Sequence, residues 1–199
     1  MDRIEYIKWL ENVLYRLISS EHYFKLVSGQ QKQSWSIIQN SLGESVCIFW
    51  SHVFGNYKDD LHYSKFFDED AEKIAGTNFS QNKIKARLLK ALKMNNSDYD
   101  KFWKEVKSCR DQFIAHKEIG SNNIFPSINL CRTQAEAMRL IMAEFVKKAL
   151  EQNLNGNWDI WNRYYQATEN SNRSIEVKCK RGFKDGVLLM SDEIKQQKN

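Results

Sequence analysis

A single proline and eight glycines serve the whole 199-residue chain. So few turn-formers leave little room for a loop-rich β architecture and favour helices. The four cysteines, Cys47, Cys109, Cys131 and Cys179, are scattered, without a CxxC pair or zinc spacing. Three of them fall at core-like positions, the pattern of free buried thiols in a reducing compartment. No basic start leads into an apolar run, and nothing approaches the ~18 apolar residues of a membrane span. These absences predict a cytoplasmic protein that does not enter a membrane. Charge of one sign is also scarce: the net value is +5. That is compatible with a nucleic-acid partner and too small to require one.

Aromatic residues, by contrast, are plentiful at 13%, six of them tryptophan. Such a supply points to a packed interior and away from disorder. The length suffices to bury a substantial core. There is no internal repeat and no low-complexity segment.

Apolar spacing predicts a first helix over residues 3–27, with Ile4, Ile7, Leu10, Val13, Leu14, Leu17 and Ile18 on its face, capped by Asp2 with Glu5. His22 beside it reads as a surface residue. A second helix, residues 31–54, carries Trp35, Ile38, Leu42, Val46, Phe49 and Val53, with Ile37, Ile48 and Trp50 widening the stripe; Gly55 ends it. That breadth predicts a central position. Residues 56–70 form a loop whose Tyr57, His62, Tyr63, Phe66 and Phe67 fold back on the body. A third helix covers 81–94, starting somewhere after Asp68. Ser97 then caps a fourth, residues 98–115. A loop spans 119–131 and includes Pro126. The Thr133–Glu136 capping box opens a helix to 153, faced by Ala135, Met138, Leu140, Ile141, Phe145, Val146 and Leu150. A short aromatic helix with Trp158, Trp161, Tyr164 and Tyr165 follows. In the tail, Ile175, Val177 and Cys179 alternate with charges, and Val187 to Met190 is apolar, which predicts a small β-hairpin. The expected fold is all-α: a bundle of about five helices over residues 1–166, with a short basic appendage, residues 167–199, holding the hairpin.

The fourth helix holds the residues most suggestive of function. On an ideal helix, Tyr99, Phe102, Trp103, Val106, Phe113 and Ile114 share one side, and Arg110 lands inside that stripe. His116 falls at its edge, in line with Cys109. An arginine facing a core is costly unless an acid, a carbonyl, a symmetry mate or a phosphate meets it. A purely structural account makes Arg110 a buried ion-pair partner and His116 a C-terminal cap.

The run Arg110-Asp111-Gln112-Phe113-Ile114-Ala115-His116 resembles the signature of the HEPN superfamily, small helical proteins of prokaryotic toxin and phage-defence systems. Its motif is an arginine, a polar residue directly after it, and a histidine four to six residues on. The Ala115-His116 ending is similar to that of the abortive-infection branch. The resemblance implies a homodimer in which two Arg110-His116 pairs meet in one cleft and cut RNA without metal or cofactor. His116 would act as general acid/base, Arg110 would hold the scissile phosphate, and Asp111 would support them. Lys117 borders the motif as a weaker phosphate contact, and a cognate antitoxin is a further expected partner. The residue types suit that work. A histidine exists in both protonation forms near neutrality, while arginine offers a planar fork of donors and keeps its charge. Six residues place the two side chains about 120° apart and ~9 Å apart along an ideal helix, so they converge only if the helix frays or if the pairs work across a dimer.

The competing expectation is a helical module that binds a protein or nucleic acid without catalysis. His52 and His62 match no metal-ligand spacing and read as structural. The aromatic helix and the basic tail could contact RNA, but a packing stripe and an exposed charged face explain them as well.

Overall fold

The computed structural model describes residues 3–28, 30, 33–115, 125–151, 174–175 and 177–184. They form an all-α bundle, with no strand among the described residues. Helix α1 (Arg3–Ser28) is followed by α2 (Gln33–Trp50), which continues into a π-helical turn, Ser51–Gly55. Two short helices come next, α3 (Tyr63–Phe66) and α4 (Glu69–Ala75), then a 3₁₀ turn, Thr77–Phe79. The long elements α5 (Gln81–Leu92), α6 (Asn96–Ala115) and α7 (Ile128–Glu151) complete the bundle. Residues 174–175 and 177–184 are helical and make α8, the last helix among the described residues.

The α1 stripe does what its spacing predicts. Ile7, Leu10, Leu14, Leu17 and Ile18 are buried where α1 packs against α2 and α7. Helix α2 is central only in its second half. Val46, Cys47 and Trp50 are buried, but Ile37 is 70% exposed, against the expectation that it widens the core face. Gly43 permits the close packing between: a Cβ there would lie 2.5 Å from the Phe125 ring, which meets Phe24 edge-on. The segment after the π turn folds back as expected. Phe66 and Phe67 join Phe79 and Phe145 in an aromatic cluster at the heart of the molecule. Tyr57, however, stays outside.

Two predicted boundaries move, each for a local reason. Asn95, and not Ser97, caps α6: its side-chain oxygen accepts from the Asp98 amide at 2.9 Å, and its Nδ2 donates to the Asp98 carboxylate at 2.8 Å. Thr133 opens no helix, because α7 has already begun at Ile128; its hydroxyl donates back to the Asn129 carbonyl at 3.0 Å. Leu140 on the same helix is 56% exposed, and the buried face includes Arg139 instead.

The expected hairpin is not formed where the tail is described. Ile175 and Cys179 are buried on the bundle and Val177 is 65% exposed. Alternation over five residues also fits a helix when the first and last positions, four apart, are the apolar anchors. Phe183 extends the series and packs against Trp35, ring centroids 5.8 Å apart. The Asp2 cap, the aromatic helix around Trp158 and Trp161, and Val187 to Met190 lie outside the described residues.

Candidate functional site

Helix α6 presents two adjacent stripes. Phe102, Val106 and Cys109 face the core and are buried. At the end of this stripe Cys47 of α2 donates its S–H to Cys109, sulfurs 3.4 Å apart. That bond, with burial, pushes the Cys47 thiol up and holds Cys109 down. All four cysteines are buried and free. The neighbouring stripe, Tyr99, Trp103, Lys107 and Arg110, steps along α6 by three or four residues and lies at the boundary of the core.

Arg110 therefore does not enter the interior. Its side chain keeps 23% of its exposure, and its Nε and Nη2 donate to Asp111 Oδ1 at 2.8 and 2.5 Å. Asp111 is itself half in solvent, at 51%. The acid that meets this arginine is thus the next residue of its own motif. Asp111 is placed to orient the guanidinium directly. His116 and Lys117 lie outside the described residues.

The Tyr99–Lys107 flank of α6 also forms one wall of a cleft of about 590 Å³. Phe54, Gly55, Asn56, Tyr57, His62 and Tyr63 line the side formed by the π turn and its continuation, and Lys85 enters from α5. The α6 wall supplies Tyr99, Asp100, Trp103, Lys104 and Lys107. The π turn is tied to α6 by one side chain: Trp103 Nε1 donates to the carbonyls of Phe54 and Gly55 at 3.1 and 3.0 Å. Those carbonyls belong to the end of a helix and would otherwise need partners. The Lys107 ammonium stands over the Trp103 ring, 5.4 Å from its centroid. From the core side, Trp50 Nε1 donates to Gln134 at 2.9 Å, and Gln134 donates to the Tyr99 hydroxyl at 3.0 Å. The aromatic wall is thereby fixed to α2 and α7. Three lysines against one aspartate give the cleft a positive lining.

His62 sits at the foot of this cleft, 8% exposed, its ring 4.7 Å from that of Tyr63. Its Nδ1 accepts from the Ser64 amide at 3.3 Å and faces the Ser64 hydroxyl at 2.7 Å, capping α3. Burial pulls its pKa down to about 4, with Lys65 adding to the effect against Asp59. The imidazole is therefore neutral at pH 7, a structural role of the kind its sequence context suggested. His52 differs from expectation: it is exposed on the π turn and does not line the cleft.

Reading the sequence missed the two most deeply buried charges. Arg139 is fully buried, and its Nε donates to both carboxylate oxygens of Glu11 at 2.9 and 3.0 Å. Glu21 is fully buried as well, with Lys25 at 2.7 Å, Arg132 at 3.3 Å and His22 at 3.7 Å. His22 is thus drawn into this cluster, its side chain only 11% exposed, and is not a surface residue. The signal for Arg139 was present: it lies between Ala135 and Met142 on a helix face, beside Met138. Among the described residues no group of three or more His, Cys, Asp or Glu is placed to hold a metal ion. No described helix is long and apolar enough to cross a membrane. The chain matches no protein-family model, no curated protein and no solved structure.

Proposed function

We propose that this protein is a HEPN-type, metal-independent endoribonuclease of a toxin–antitoxin or abortive-infection system, active as a homodimer. The observation that carries the reading is Arg110. It stands partly exposed near the end of α6 and is paired with the adjoining motif residue, Asp111. An arginine so held is oriented yet open to an incoming phosphate. In the reaction, His116 or its dimer mate takes the proton of a 2′-hydroxyl. The O2′–phosphorus bond forms as the phosphorus–O5′ bond breaks, and the leaving oxygen is protonated by the second histidine. Arg110 offsets the charge that builds on the phosphate. The products are a 2′,3′-cyclic phosphate and a 5′-hydroxyl. Lys117 would contact a neighbouring phosphate, and a cognate antitoxin would restrain the enzyme.

The deciding experiment is incubation of the purified protein with total RNA in EDTA, wild type beside His116→Ala, with circular dichroism to show that both are folded. Cleavage by the wild type alone, leaving cyclic-phosphate ends, is expected. Equal cleavage by the folded variant would remove His116 from the chemistry.

A second reading, a non-catalytic interaction module, draws support from apolar side chains left in solvent. Trp9 is 52% exposed, and adjacent Ile37 and Ile38 are 70% and 38% exposed. Such residues are what a protein partner would cover. If the chain has no toxicity in cells that His116→Ala relieves, this reading replaces the first.

A further inference from the structure

The cleft beside α3 and α6 is not needed for the Arg110 chemistry, yet its lining joins aromatic rings and lysines, the residue types that suit a nucleotide. Tyr57 stands at its mouth with 67% of its surface in water. An aromatic ring left so exposed contributes little to the core and offers a free face. Behind it, Tyr63 and Trp103 make an aromatic wall, and Trp103 is held in a single orientation by its bonds to the two π-turn carbonyls. Lys85, Lys104 and Lys107 border the same space. Planar faces next to ammonium groups match an unpaired base and the phosphate attached to it. Sequence selectivity would be weak, since stacking accepts any base.

Position supplies the rest of the argument. Trp103, Lys107 and Arg110 fall at i, i+4 and i+7 of one helix, so they share a face and span ~10 Å along its axis. One strand can therefore touch both the cleft and the arginine. We infer that the cleft is a subsite for an unpaired nucleotide of the RNA strand whose scissile phosphate Arg110 holds, with the base against Tyr57 and Tyr63 and the phosphate on Lys104 and Lys107. This rests on the RNA-cleaving reading, and it assigns the cleft the task of gripping the strand to one side of the cut.

Binding separates the two claims, because it does not require cleavage. The full chain carrying His116→Ala is titrated in EDTA against a short fluorescein-labelled single-stranded RNA of mixed sequence, read by anisotropy. Tyr57→Ala and Lys104→Glu are added singly to the same background; both side chains are exposed, so the fold is retained, and circular dichroism checks this. Each substitution is expected to weaken binding by about ten-fold or more. Lys104→Glu should also flatten the salt dependence by about one ion or more. Equal affinity in all three forms overturns the subsite, while wild-type cleavage, measured separately, still upholds the nuclease. If the parent ignores RNA but binds uridine monophosphate in a Tyr57-dependent way, the cleft is a free-nucleotide site and the strand proposal fails. Binding of neither overturns it outright.

Discussion

Two arginines on two long helices divide the molecule into a region built for stability and one left open. Arg139 of α7 is fully enclosed and grips Glu11 of α1, a partner 128 positions away in the chain. Arg110 of α6 holds only its neighbour Asp111 among the described residues, and both remain in partial contact with water. The first pair closes the seam between α1 and α7, with its guanidinium wholly cut off from water. The second is held by a half-solvated acid beside it in the chain and keeps part of its own surface in water. An arginine on an apolar stripe is therefore not in itself a sign of function. What distinguishes the two is how far the partner lies and how much water remains.

The comparison breaks first at Arg139. Removing Arg139 empties a fully enclosed site and takes the bidentate donor from Glu11, at a cost of up to about 3–5 kcal/mol. Arg139→Ala is thus expected to lower the urea midpoint severely, and a loss below about 1 kcal/mol would show the pair to be incidental. The double change Glu11→Leu with Arg139→Met should recover most of that loss, because two apolar groups of similar volume leave no orphaned charge.

Arg110→Ala should do the reverse. Its pair is partly exposed, so folding stability is expected to move by less than about 1 kcal/mol. RNA cleavage should fall by about 10²–10³-fold, the usual effect of losing one group that meets developing negative charge. A variant as unstable as Arg139→Ala would place Arg110 among the structural residues.

His62 tests the foot of the cleft. Its folded pKa of about 4 lies below the unfolded value near 6.5. Protons therefore bind the unfolded chain preferentially across that window. The stability tied to the neutral ring is complete above pH ~6.5 and is lost progressively as pH falls toward 4. The loss should reach roughly 2–3 kcal/mol by pH 4. Urea unfolding of wild type and His62→Gln between pH 7.5 and 4.5 is expected to show a flatter profile in the variant. Parallel profiles would mean that the ring is solvated.

The smallest effect concerns the start of the motif helix. Asn95→Ala removes the cap and should cost about 1 kcal/mol, whereas Ser97→Ala should be near neutral. Thermal unfolding of the two variants distinguishes them directly, and the opposite order would restore Ser97 as the cap.

Much of this bundle was legible in order and content. The α1 stripe from Ile7 to Ile18, the fold-back at Phe66 and Phe67, and the motif helix through Ala115 follow from apolar spacing, which depends on the chain alone. Errors cluster where two local rules compete. Asn95 and Ser97 are both good caps, and only the backbone path chose between them. Ile175 and Cys179 fit a strand or a helix until the bundle offered them one buried face. The π turn had no signal beyond Gly55, since its carbonyls are satisfied by Trp103 from another helix.

The candidate site divides the same way. Sequence by itself determined the helical class, the apolar face of α1 and the Arg110–Asp111 adjacency, because each depends on spacing within a few turns of one helix. Only the tertiary structure decided which charges are buried, since Glu11 and Arg139 become partners through the packing of α1 on α7. It alone assembled Tyr57, Lys85 and Trp103 around one cleft from three separated stretches of chain. Burial and long-range pairing depend on which surfaces exclude water together, and that is a property of the packed chain and not of any one segment.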